Sequence, residues 1–191
     1  MNKSYLQDAE ECLRVLQSGG TILYPTDTIW GIGCDATNEE AVEKIFALKK
    51  RPEEKSMIIL VADEKDILQY VASPDLRVLD YLETTSKPTT VIYDSAIGIA
   101  SNIISKDGSV GIRICNDEFC KYLIKRFRKP IVSTSANISG EPSPQFFNAI
   151  SNEIKNGVDY VVNYRQDDTS SALPSSVVKW NKNGTVNILR P

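Results

Sequence analysis

Apolar positions recur along the chain with two alternating periods. In residues 5–18, Leu6, Ala9, Leu13 and Leu16 fall on one helical face, and Gly19-Gly20 stops that helix. TILYP (21–25) then reads as a buried strand. Thr37 followed by Glu40 forms a capping-box pattern opening a helix through about Lys50, with Val42, Ile45, Phe46 and Lys49 at helical spacing. MIILVA (57–62) is an unbroken apolar run of the kind found in a central strand.

DEKDILQYVA and PDLRVLDYLET predict two short helices, the second starting at Ser73-Pro74. TTVIYD and VGIRI predict strands. Asn116 is the expected cap of a helix through about Arg128, with Phe119, Leu123 and Phe127 inward. IVSTSA is a further strand, and Ser143-Pro144 is expected to start a helix carrying Phe146, Phe147, Ile150 and Ile154. VDYVVNY predicts a strand. The run SSVVKWNKNGTVNIL predicts a hairpin turning at Asn183-Gly184. Alternating helices and strands, closed by a hairpin, predict one α/β domain over residues 1–191 with a mixed sheet.

Composition narrows the chemistry. The chain has 191 residues, 41% hydrophobic and 25% charged, with a net charge of -3. That is an ordinary globular composition with no general attraction for nucleic acid. There is no histidine, which removes Ser-His-Asp and Cys-His catalysis and histidine-ligated metals. Four cysteines, at 12, 34, 115 and 120, form no Cys-x-x-Cys pair, so reduced thiols in a cytoplasmic protein are expected. The polar N-terminus and the absence of a long apolar run predict neither a signal peptide nor a membrane span.

Four polar stretches sit at predicted strand ends, where α/β folds bind ligands: PTDT (25–28), KKRPEEK (49–55), STSANISG (133–140) and LPSSVV (173–178). Each has two readings. Lys49-Lys50-Arg51 is either a basic helix end complementing the macrodipole or a clamp for phosphates and carboxylates. Ser133, Thr134, Ser135 and Asn137 either bond their own turn or donate to a ligand. Arg113, inside an apolar strand, either lies on a solvated face or captures an anion in bidentate fashion. Asp27, Asp167 and Asp168 are either solvated turn residues or magnesium ligands. No P-loop and no Gly-x-Gly-x-x-Gly sequence is present.

In order along the chain, YPTDTIWGIG, KKRP, SANISG, SSV and LR resemble the motif series of the YrdC/Sua5 family, the threonylcarbamoyl-AMP synthases. The resemblance runs from about Gly19 to Arg190. It implies a YrdC-like twisted mixed sheet flanked by helices around a positively charged cavity. It also implies an enzyme of the nucleotidyltransferase class, making threonylcarbamoyl-AMP and pyrophosphate from L-threonine, bicarbonate or CO2, and ATP with Mg2+. The product would pass to a separate transferase complex that modifies tRNA.

By resemblance, Lys49 and Arg51 hold phosphates or the carbamate, and both are expected near solvent. Thr28, Arg113, Ser133 and Ser176 lie on the threonine side. Arg51, Lys55, Ser109, Ser135, Asn137, Ser143 and Arg190 lie around the nucleotide. Two segments differ from the family pattern: Ser86-Lys87-Pro88 stands for Pro-Gly-Pro, and Cys115-Asn116-Asp117 lacks the family's Pro and His. A double-stranded-RNA-binding module, a carbamoyl-transfer relative and a catalytically divergent paralogue are the competing implications. Ending just after the LR motif, the sequence matches the short, single-domain form.

Overall fold

The computed structural model describes residues 5–52, 57–170, 172–181 and 183–191. Helix α1 (Leu6–Gln17) buries Ala9, Cys12, Leu13 and Leu16 along one stripe, matching the predicted face except that Leu6 remains exposed. Strands β1 (Ile22–Tyr24) and β2 (Gly31–Gly33) form an antiparallel pair around the PTDT turn. Helix α2 (Glu39–Leu48) follows; its cap is Asn38, whose side chain accepts from the Ala41 amide. Thr37 does not cap it, because its amide and hydroxyl both donate to Asp35.

Strand β3 (Ile58–Val61) comes next, then a 3-10 turn at Glu64–Asp66 and the short helices α3 (Ile67–Tyr70) and α4 (Arg77–Glu83). Strands β4 (Thr89–Tyr93) and β5 (Val110–Ile114) precede α5 (Glu118–Phe127). Asp117, not Asn116, caps α5 by accepting from the Cys120 amide at 2.9 Å. Cations Lys125 and Arg126 occupy its last turn, where they offset the negative end of the dipole.

Strand β6 (Ile131–Ser135) leads into the polar SANISG turn. The helix expected at Ser143 is absent. A 3-10 turn covers Phe147–Ala149, and α6 (Asn152–Gly157) starts only after the Ser151 cap. Strand β7 is reduced to Tyr160–Val161, and β8 (Ser176–Trp180) and β9 (Val186–Arg190) form the predicted hairpin, with Gly184 at φ +80°.

All nine strands join in one mixed sheet, in the order β7-β1-β2-β6-β3-β5-β4-β8-β9. β3 sits fifth, at the centre, as its continuous apolar run predicts; it runs parallel to β5 and antiparallel to β6. β2 was not legible as a strand, since two of its three residues are glycine. Close approach requires glycine at 33 and leaves little room at 31. A Cβ at Gly33 would lie 2.6 Å from the Val132 carbonyl, and one at Gly31 would lie 3.3 Å from Ser133 Oγ.

Two aromatic anchors fix the N-terminal layer. Tyr5 packs edge-on against Phe119 of α5, with centroids 5.9 Å apart, and against Tyr164 at 5.4 Å. All four cysteines are buried and free. Among the described residues, no helix is long and apolar enough to cross a membrane.

Candidate active site

The PTDT turn leaves β1 and folds back on itself. Thr26 Oγ1 donates to the Ile29 carbonyl at 2.8 Å, so its single proton is committed. It then accepts from the Thr28 amide at 3.0 Å and from the Thr28 hydroxyl at 2.9 Å. The Thr28 oxygen is left as an acceptor facing a cavity of about 180 Å³.

That cavity gathers residues from eight stretches of the chain. Thr28, Arg51, Arg113, Ser133, Ser135, Ser143 and Arg190 all line it, together with Trp30 and Ser175. Three guanidiniums meet there, and no carboxylate is among the described lining residues. β2 and β6 are paired Gly31 to Ser135, which brings the turn after β1 alongside the Ser-rich end of β6.

Arg113 is 2% exposed, which rules out a solvated sheet face. Its NH1 donates to Asp27 Oδ1, and Asp27 Oδ2 accepts from the Asn116 amide at 3.1 Å. Burial opposes the Arg113 charge, but Asp27 beside it prevails and raises its pKa above the ordinary value. Its Nε is buried without a partner. Asp27 is therefore the counter-charge that a buried strand arginine requires. Burial lowers the pKa values of Arg51 and Arg190, and the Arg113 charge lowers that of Arg190 further.

Arg190 arrives from the last strand. Its Nε donates to the Ser175 carbonyl at 3.0 Å and its NH2 reaches Ser175 Oγ at 3.4 Å. Ser175 Oγ also meets Thr90 Oγ1 at 2.9 Å. Ser175, missed in the sequence, is thus the pocket serine of this segment. Ser176 pairs with Thr89 and lines a separate cavity beside Tyr81 and Ile188. Neighbouring strand residues face opposite ways, so the one-residue shift moves the side chain out of the site.

The remaining expected residues fall elsewhere. Lys49 is 1% exposed, against the expectation of a side chain near solvent. Its Nζ donates to the carbonyls of Ser135 and Asn137, behind the cavity wall. Burial, then the Arg51 charge, pushes its pKa down to about 8. Asn137 turns away from the cavity and donates to the carbonyls of Ile138 and Glu141. Ser109 donates to Asp107 in a distant turn. Lys55 lies outside the described residues.

Among the described residues, no group of three or more Cys, Asp or Glu side chains converges as a metal cage. Asp27 is held by Arg113, and Asp168 accepts from the Ser170 amide.

Fold and pocket together define an α/β protein with a cavity lined by arginines and hydroxyls. The sequence profile of the Sua5/YciO/YrdC family, described as telomere recombination, matches residues 14–191. The chain belongs to this family. It is 32% identical over 152 residues to the threonylcarbamoyl-AMP synthase of Photobacterium profundum, covering 78% of this chain and 82% of that one. It is 38% identical over 132 residues to the synthase of Saccharophagus degradans, covering 68% and 69%. The crystal structure of P. abyssi Sua5 complexed with L-threonine superposes with a TM-score of 0.84 at 22% identity. That match covers 97% of this chain, which spans about half (54%) of the Sua5 chain.

Proposed function

We propose that the chain is a threonylcarbamoyl-AMP synthase, joining L-threonine, bicarbonate or CO2, and ATP with release of pyrophosphate. The observation that carries this reading is the cavity itself, where Arg51, Arg113 and Arg190 converge with Thr28, Ser135 and Ser175 and no carboxylate is among the described lining residues. A substrate set with a carboxylate, a carbamate and a triphosphate suits such a wall.

In this reading Arg113 takes the threonine carboxylate on the side not occupied by Asp27. Thr28 accepts a hydrogen bond from the amino acid's hydroxyl or N–H. Arg51 and the hydroxyls of Ser133, Ser135 and Ser143 hold phosphate oxygens, and Arg190 supports the departing pyrophosphate.

The chemistry then needs alignment rather than a base. The threonine amine adds to CO2 and loses a proton, giving a carbamate. A carbamate oxygen attacks the α-phosphorus of ATP as the bond to pyrophosphate breaks. Charge building on the phosphoryl oxygens is met by fixed guanidiniums. Lys49 contributes by bracing the Ser135–Asn137 backbone. Mg2+ enters on the ATP phosphates as part of the nucleotide substrate. The product serves a transferase complex acting on tRNA.

The test is pyrophosphate release by the purified protein with MgATP and bicarbonate, with and without threonine, using serine and glycine as controls. Threonine-dependent release and a threonylcarbamoyl-adenylate mass are expected. Arg51→Ala should lower that rate more than about tenfold. No release from folded protein with any amino acid would sink the reading.

A further inference from the structure

The loop after β7 carries a strained backbone position. Arg165 sits at φ +65°, in the left-handed region, although it is not glycine. Its neighbours are firmly anchored. Asp8 of α1 is buried and accepts from the Asn163 amide at 3.1 Å, the Tyr164 amide at 2.8 Å and the Tyr160 hydroxyl at 2.5 Å. The Tyr164 ring is wedged against Tyr5 and Phe119. Two fixed residues thus deliver Arg165 in an unfavourable conformation to one place.

That place is the outer side of the PTDT turn. Arg165 NH2 donates to the Thr26 carbonyl at 3.3 Å and pairs with Asp117 Oδ2 at 2.9 Å. Asp117 is the α5 cap, one residue beyond Asn116, whose amide holds Asp27. The turn is therefore gripped from two sides. Arg113 and the Asn116 amide hold it at Asp27, and Arg165 holds it at Thr26. The Cys120 thiol adds a third tie, to the Pro25 carbonyl at 3.3 Å. Arg165 itself lines a side cavity that shares Thr28 and Trp30 with the main one. It does not line the main cavity.

We propose that Arg165 is a positioning residue for the amino-acid half of the site, clasping the PTDT turn to the α5 cap so that Thr28 and the Asp27–Arg113 pair keep their geometry. Naming the ligand as threonine rests on the synthase reading; the clasp does not. The side chains assigned to the nucleotide come from the segment after α2, from β6 and the loop that follows it, and from β9, whereas Arg165 bonds to Thr26 and Asp117. Its loss should therefore separate the two substrates.

The experiment compares Arg165→Gly, Arg165→Ala and Arg165→Lys in the full chain. Glycine adopts φ +65° without strain, so Arg165→Gly should be more stable than Arg165→Ala while lacking the guanidinium equally. Both should raise the KM for threonine about tenfold and leave the KM for ATP within about twofold. Arg165→Lys should recover part of the loss, since a single guanidinium nitrogen makes both contacts and an ammonium on a shorter stem can stand in for it in part. A threonine KM that follows melting temperature across the three variants would overturn the proposal. So would threonine and ATP KM values rising together.

Amide hydrogen exchange reads the clasp without activity. Faster exchange at Thr28 and Asn116 in Arg165→Gly, with the core unchanged, is expected; unchanged exchange there overturns the clasp. If the wild type releases no pyrophosphate with threonine, the synthase reading fails, and the exchange result still decides the role of Arg165.

Discussion

Arg113 lines the cavity and Lys49 braces the backbone of Ser135, which also lines it; the two cations are equally sealed, at 2% and 1% exposure. Their surroundings differ. Arg113 faces a carboxylate, whereas the ammonium of Lys49 faces the carbonyls of Ser135 and Asn137. A full counter-charge holds the first cation charged at any working pH. Carbonyl dipoles do not offset burial for the second, and its pKa falls to about 8. Of these two buried cations, Arg113 keeps its charge and Lys49 titrates at about 8.

The largest expected effect comes from breaking the permanent pair. Arg113→Met leaves Asp27 without its guanidinium partner and should cost about 3–5 kcal/mol in urea unfolding. Asp27→Asn combined with Arg113→Met should recover part of that loss. A cost below about 1 kcal/mol for the single variant would show that the pair carries little of the fold.

Lys49→Met should cost less, about 1–3 kcal/mol, by stripping two carbonyls of their donor. A side chain near solvent, as the sequence led us to expect for Lys49, would carry no such cost. The pH dependence sharpens the contrast. The native pKa is depressed, so above about pH 8 the unfolded chain keeps a proton that the native state has lost. Stability should therefore rise from about pH 8 towards the ordinary lysine value of 10.5. The wild-type slope minus that of Lys49→Met isolates this contribution; a difference of zero would mean that Lys49 titrates normally.

Smaller effects test which serines belong to the cavity. Ser175→Ala should raise the KM of a substrate about tenfold, and Ser176→Ala should stay within about twofold. The reverse order would restore Ser176 to the site. Ser109→Ala should be the mildest for activity, with kinetics unchanged and a stability loss of about 1 kcal/mol, because its buried hydroxyl bonds only Asp107 of its own turn.

The legible parts of the fold were those in which one segment decides its own state. The apolar run of β3, the stripe of α5 and the Asn183-Gly184 turn need no distant partner to be read. β2 escaped because Gly31 and Gly33 carry no side-chain period, and their purpose emerges only against Val132 and Ser133. Ser143 looked like a helix start, yet the backbone after it stays irregular until the Ser151 cap. In the site, seven of the motif residues reach one cavity. The misplaced ones failed on side-chain direction. Ser175 and Ser176 differ by strand parity, and the burial of Lys49 depends on carbonyls far along the chain. The need of Arg113 for a counter-charge was legible, and Asp27 lay within a quoted motif, but a single sequence does not pair them.

The pocket's walls also carry a timetable. Thr28 is made early, while Gly31 must wait for Ser135, and Arg190 belongs to β9, the last strand. Contacts so distant in sequence form late and slowly. On the ribosome, the PTDT turn emerges long before either neighbour exists, with β2 lacking its β6 partner. A nascent chain would have most of its core before the three guanidiniums could meet, so the cavity is a late product of folding.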